Sequence, residues 1–220
     1  DLLDMLMGAR DADGSGLSDD EVRNEAITLI VAGHETVATA LTWTFYLLGQ
    51  HPADAERMRA EALGALGDRQ VAFGDLERLP WALQVFKETM RLYPAAFVIG
   101  REARQNVTLG DYRIDAGAWV MICPYTSHRD PGAFSNPMRF DPARFAPVAE
   151  RALPRGAYIP FGAGPRVCIG NQFALLEAQI ILATIARQFR LIPVDSRPMG
   201  LRPMITLNPD RPVLMRVDRL

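Results

Sequence analysis

Near its carboxyl end the chain reads FGAGPRVCIG, Phe161 to Gly170, and this stretch sets a single thiol among residues that leave the backbone free. Gly162, Gly164 and Gly170 permit tight turning and close approach to a flat partner. Cys168 falls just before an apolar helix expected to begin near Ile169, and a helix start favours thiolate over thiol. A lone thiolate without nearby Cys or His ligands does not make an ordinary zinc or iron–sulfur site, but it suits the axial position of a haem iron. A second group, KETMR, puts Glu88 and Arg91 three apart on one helical face. Alone, such a pair is a surface ion pair of about 0.2 to 0.5 kcal/mol. A third, AGHET, places the Glu35 carboxylate and the Thr36 hydroxyl after Gly33 within a long apolar helix. Glycine costs a helix interior about 1 kcal/mol relative to alanine, which asks for a reason such as close approach of a ligand. His34 reads as a packing or solvent-facing residue.

The pattern Phe-x-x-Gly-x-Arg-x-Cys-x-Gly, met by Phe161, Gly164, Arg166, Cys168 and Gly170, resembles the haem-binding loop of the cytochrome P-450 superfamily, the haem-thiolate monooxygenases. The resemblance implies haem b (iron protoporphyrin IX) as cofactor, with Cys168 as its metal ligand, Arg166 paired with a propionate and Phe161 beside the sulfur. Gly162 is expected to belong to the same cofactor-binding loop. Thiolate donation would promote O–O cleavage. In the same family a Glu-x-x-Arg pair is completed by a later arginine, which FDPARF supplies as Arg144, so Glu88, Arg91 and Arg144 are expected to form a buried structural network. The family segment Ala-Gly-x-Glu/Asp-Thr implies that the helix bulges over the haem at Gly33, and that Glu35 and Thr36 deliver protons to dioxygen. Arg101 in VIGREA and His128 in SHRDP fall where the family places propionate partners.

The implied fold is mainly α with small antiparallel β-sheets, corresponding to the carboxyl-terminal, haem-binding half of that family's fold. Residues 1 to 220 would be a single partial domain, lacking the amino-terminal helices and strands that wall the substrate pocket. The implied activity is insertion of one oxygen atom from O2 into a hydrophobic small molecule. Electrons would come from NAD(P)H through a ferredoxin, a flavodoxin-type partner or a reductase. The alternatives are a peroxide-driven peroxygenase of the same fold and a truncated remnant unable to hold haem alone; the 220 residues by themselves are expected to be inactive.

The elements that must position these groups can be read from pattern. DADGSGLSDDE mimics a calcium loop, but its twelfth position is Val22 where a bidentate glutamate is needed. It reads better as a capping box of Ser18 and Glu21 opening a helix. That helix should run through AGHET to about Leu48, stopped by Gly49 and Pro52. A charged helix follows near Ala53 to Leu66, and another near Pro80 to Leu92 that Pro94 ends. NVTLGDYRIDAGAWVMICPY alternates between turn signals and reads as a small antiparallel sheet. An irregular stretch covers about Asp130 to Pro160, a helix runs from Ile169 to about Phe189, and the last thirty residues suggest short strands.

Composition bounds the remainder. With 220 residues, 49% of them hydrophobic, the chain can bury a sizeable core. A net charge of -2 provides no field for nucleic acid or anionic lipid. His34 and Glu35 near the middle of the long helix argue against a membrane span there, although an anchor in a missing amino terminus stays open. Two cysteines are too few for a disulfide framework and point to a reducing, cytoplasmic setting. Arginine usage, with Lys87 the single lysine, suggests a bacterial source.

Overall fold

The computed structural model describes residues 1–220. Its helices are α1 (Leu2–Gly8), α2 (Asp19–Gln50), α3 (Pro52–Leu66), α4 (Pro80–Leu92), α5 (Pro124–Ser127), α6 (Pro147–Arg151) and α7 (Asn171–Gln188). The capping box that opens α2 forms as expected: the Ser18 hydroxyl accepts from the Glu21 amide, and the Glu21 carboxylate accepts from the Ser18 amide at 2.8 Å. Three acidic residues in its first turn complement the positive end of the helix dipole. Pro52 occupies the first position of α3, where its missing N–H costs nothing.

The core sits where α2, α3, α4 and α7 meet, around Leu47, Ala62, Val85, Phe86, Leu182 and Ala183. Small residues at Ala62, Ala178 and Ala183 are fully buried and let the helices approach closely. Only the second half of α2 joins this core, from Val37 onward. In its first half Ile27, Ile30 and Val31 face outward at 48%, 69% and 66% exposure. No helix is long and apolar enough to cross a membrane.

Eight short strands form four two-stranded antiparallel sheets: β1 (Ile99–Glu102) with β4 (Trp119–Ile122), β2 (Val107–Leu109) with β3 (Tyr112–Ile114), β5 (Phe189–Pro193) with β8 (Met215–Arg219), and β6 (Leu201–Pro203) with β7 (Leu207–Pro209). The alternating stretch after Asn106 is therefore not one sheet. Its first two strands make a hairpin, while its third returns to pair with β1. The Ala103 carbonyl accepts from the Gly117 amide and the Ala103 amide donates to the Ala118 carbonyl, seating β4 beside β1.

Two further local expectations are corrected. α7 begins at Asn171, with Gly170 at its N-cap, rather than near Ile169. The first helical hydrogen bond runs from the Ala174 amide to the Gly170 carbonyl, so Cys168 lies two residues outside the helix cap. α2 passes through Gly33 as an unbroken α-helix, without the expected bulge.

Candidate functional site

The Cys168 loop is a tight hairpin built on glycine geometry. Gly162 and Gly164 have φ of 75° and 74°, a left-handed conformation that side chains with a Cβ rarely adopt. The Gly162 amide donates to the Ile159 carbonyl at 3.0 Å, and a 3-10 turn over Gly164–Arg166 closes through the Val167 amide and the Gly164 carbonyl at 3.0 Å. The Cys168 amide then donates to the Phe161 carbonyl at 2.9 Å, locking the two arms together. Phe161 is half-buried against the hydrophobic core and anchors the loop to the helices. At Gly170 the backbone is unstrained, and a Cβ there would make only an ordinary contact, 3.9 Å from the Cys168 sulfur.

The result is an exposed, free thiol. Around it Val167, Ile169 and Phe173 present apolar surface, Ile169 at 91% exposure. Arg166, on the same loop, is exposed, and so is Arg101 on β1. Neither has a carboxylate within 4.0 Å, and Arg101 donates only to the neighbouring Gly100 carbonyl at 2.8 Å. The loop also touches β1, since a Cβ at Gly162 would lie 3.7 Å from Ile99 Cδ1. An exposed sulfur, an apolar rim and two exposed guanidinium groups without a carboxylate partner are the donor set that a flat, apolar, doubly anionic macrocycle requires, so the residues fit a haem. Cys123, by contrast, is half-buried with its thiol directed at the Phe97 carbonyl, 3.4 Å away.

Glu88, Arg91 and Arg144 come together as a separate cluster on α4 and the segment after α5. Arg91 is fully buried and satisfies all five of its N–H donors: Nε and Nη2 grip the two Glu88 oxygens at 2.7 and 2.8 Å, and the rest reach the carbonyls of His128, Pro137 and Arg139 at 2.9, 2.7 and 3.0 Å. The Asp141 amide donates to Glu88 Oε1 at 2.8 Å. Arg144 Nε stands 3.6 Å from Glu88 Oε1, an ion pair without a hydrogen bond. Burial raises the Glu88 carboxyl above its ordinary range, and Arg91 opposes that most strongly. The pair is thus no surface salt bridge; it pins the irregular segment from His128 to Asp141 onto α4.

His128 is placed differently from its expected role as a propionate partner. Its ring is completely buried, and Nε2 accepts from the Ile159 amide at 2.8 Å. Nδ1 therefore carries the proton, facing the Met90 and Arg91 carbonyls without reaching a full hydrogen bond. Desolvation, the largest cause, lowers its pKa to about 4. A neutral imidazole enclosed in this way presents no edge to an anionic ligand; it links the segment after α5 to the chain entering the Cys168 loop.

On α2, Glu35 is exposed and Thr36 partly so. The Thr36 hydroxyl donates back to the Ala32 carbonyl at 2.8 Å, satisfying itself within the helix and removing any local need for a bulge. A Cβ at Gly33 would meet nothing within 4 Å, so the space beside it is open. The carboxylate of Glu35 is not free: the Thr206 hydroxyl donates to its Oε1 at 2.7 Å. Sequence pattern carries no sign of this contact, which joins residues 171 positions apart. Nor does it mark Trp43, whose indole N–H donates to the Leu207 carbonyl at 2.7 Å and whose ring stacks on Tyr93 at 4.0 Å.

A family model described as Cytochrome P-450 matches residues 1–216. The chain is 39% identical over 208 residues to cyclooctatin synthase of Streptomyces melanosporofaciens, covering 94% of this chain and 45% of that protein. It is 36% identical over 220 residues to human cytochrome P-450 4V2, covering 99% of this chain and 42% of the relative. Among solved structures, the heme domain of cytochrome P450DA superposes with a TM-score of 0.94 at 33% identity, covering 100% of this chain and 49% of that one. The retinoic acid bound cyanobacterial CYP120A1 gives 0.93 at 31% identity, with 100% and 51% covered. Bacterial and human relatives match at similar identity, so arginine-rich composition does not assign a source. The chain spans about half the length of the relatives it matches. With the glycine-cradled thiol and the Glu88–Arg91 pair both in place, the chain belongs to the cytochrome P-450 family.

Proposed function

We propose that these residues are the haem-holding part of a haem-thiolate monooxygenase that inserts one atom of O2 into a hydrophobic organic molecule. The observation that carries the reading is the open Cys168 thiol on its glycine-built hairpin, within a family match of residues 1–216. Bound haem supplies the redox chemistry by which O2, two electrons and two protons yield an oxygenated product and water. Cys168 holds the iron as thiolate, Arg101 and Arg166 receive the propionates as charge-assisted hydrogen-bond donors, and Phe161 fixes the loop against the core. Glu88, Arg91 and Arg144 serve structure.

Glu35 and Thr36 move protons. Thr36 gives its hydrogen to Ala32, so its oxygen keeps acceptor capacity toward the site, and the exposed Glu35 carboxylate can be recharged from solvent. The exposed Val31, Met204 and Ile205, the last at 89%, provide an apolar lining suited to a lipid-like or terpenoid-like substrate. Retinoic acid, bound by the cyanobacterial CYP120A1 that this chain superposes on, is a molecule of that kind. Electrons would arrive from NAD(P)H through a ferredoxin, a flavodoxin-type protein or a reductase.

The test is Thr36→Ala in the haem-loaded, full-length protein. Product formation should fall by about 10²-fold or more while NAD(P)H oxidation continues and peroxide is released, since positioned proton transfer is worth about that much. Unchanged coupling would refute the role. A peroxide-driven reaction is the second reading, in which the Thr36 hydroxyl, bonded to the Ala32 carbonyl, keeps only a structural role. Turnover supported by hydrogen peroxide and indifferent to Thr36→Ala would select it.

A further inference from the structure

The distal polar groups form a connected cluster that crosses from α2 to the turn between β6 and β7. Thr206 is 3% exposed and Thr39 5% exposed, yet both are hydroxyl-bearing. The Thr206 hydroxyl donates a hydrogen bond to Glu35 Oε1 at 2.7 Å and accepts one from the Asn208 side-chain amide at 2.9 Å. Thr39 donates to Asn208 Oδ1 at 3.3 Å, and its oxygen lies 3.5 Å from that of Thr206. The turn itself is held by main-chain bonds: the Leu207 amide donates to the Ala95 carbonyl and the Met204 amide to the Thr206 carbonyl, both at 3.1 Å.

Glu35 is exposed and has no cation within ion-pairing distance. An exposed glutamate with that freedom would sample several rotamers. The hydroxyl that restrains it comes from a buried residue, itself oriented by Asn208 and fixed to the sheet. A charge-assisted donor of 2.7 Å selects the rotamers in which one carboxylate oxygen meets Thr206. The second oxygen makes no hydrogen bond within the protein and stays available to another partner. Ile205, immediately before Thr206, is the most exposed large apolar side chain of that turn at 89%.

We propose that Thr206 is a positioning residue for Glu35, aiming the carboxylate from the β6–β7 turn so that proton delivery and the apolar substrate contact at Ile205 share one rigid support. This rests on the proton-delivery reading of Glu35 given above. Asn208 acts one step further out, by setting the direction of the Thr206 hydroxyl.

The test compares Thr206→Val, Thr206→Ser, Glu35→Gln and the Thr206→Val/Glu35→Gln double variant in the haem-loaded full-length protein. Two readouts are needed: the fraction of NAD(P)H electrons recovered in product, and amide hydrogen exchange at Met204 and Leu207. Thr206→Val should lower coupling at least several-fold, Thr206→Ser should restore it, and the double variant should match Glu35→Gln alone, because residues acting through one contact are non-additive. Exchange at the two amides should quicken by about tenfold in Thr206→Val, the size of one charge-assisted hydrogen bond, and by less in Glu35→Gln, whose amide oxygen still accepts from Thr206 without the charge. If Glu35→Gln uncouples and Thr206→Val with normal haem content does not, the positioning role is wrong while the proton path stands. If Glu35→Gln leaves coupling intact, the proton path falls and the positioning role falls with it. An unchanged exchange rate in both single variants would contradict the tether itself.

Discussion

The Glu88–Arg91 cluster and the Cys168 loop are assembled from similar ingredients, an arginine or two and one nucleophilic or acidic partner, yet they are finished in opposite ways. In the first, every Arg91 donor is used and both side chains are fully buried. In the second, the sulfur, Arg101 and Arg166 are exposed and face no partner of opposite charge. Both cost free energy to build, one through desolvation of charge and the other through the conformational entropy of ordered glycines and exposed apolar surface. A saturated cluster has no valence left for a ligand, so it can only hold shape. An unsaturated one, set on rigid supports, keeps its donor atoms available to a ligand.

The largest effect that sharpens this contrast is Arg91→Ala. It leaves Glu88 buried without its principal counter-charge, and three main-chain carbonyls lose their donor. A loss of about 3 to 5 kcal/mol is expected, seen as a collapse of the denaturation midpoint. Arg166→Ala should instead stay within about 0.5 kcal/mol, because nothing in the fold depends on that guanidinium. Equal costs for the two would break the comparison.

Next is His128, which belongs to the saturated side. Its pKa near 4 in the fold lies below the 6.5 expected of the unfolded chain. Between those values the unfolded state binds the extra proton, so stability falls as pH drops from about 6.5 and levels below about 4. The linkage amounts to about 3 kcal/mol. Denaturation midpoints measured across that range should show the decline, and His128→Gln, which keeps an acceptor for the Ile159 amide, should flatten it. A propionate ligand would require the reverse, a histidine whose pKa is raised by a neighbouring anion.

The third prediction is on the open side. Arg101→Ala and Arg166→Ala should each weaken haem retention by about tenfold, as expected for one charge-assisted contact. Competition with apomyoglobin measures this directly, and folding of the haem-free protein should be unaltered.

The local parts of this picture are visible in the sequence and the long-range parts are hidden from it. Glu88 and Arg91 can be paired because three residues along a helix fix a common face, and the Cys168 hairpin can be recognised because its glycines mark positive φ. The partners that turn Glu88–Arg91 into a buried knot are carbonyls of His128, Pro137 and Arg139, and a carbonyl has no residue type to betray it. The burial of His128 is concealed for the same reason: a histidine at a turn looks alike whether it faces solvent or the core. Thr206 escapes because its partner is 171 residues away and a single threonine in a short turn carries no period. The strands after Asn106 are legible but their pairing is not, because alternation identifies strands without naming their neighbours.

The central claim, that Cys168 is the completing ligand of an open site, is tested most directly by the absorption of the reduced carbon monoxide complex in the full-length protein. Wild type and Cys123→Ser should show the long-wavelength band of thiolate-ligated haem, because a thiolate pushes more density onto iron than an imidazole does. Cys168→Ser should lose that band while the haem-free protein unfolds within about 0.5 kcal/mol of wild type. Retention of the band in Cys168→Ser, or its loss in Cys123→Ser, would contradict the account.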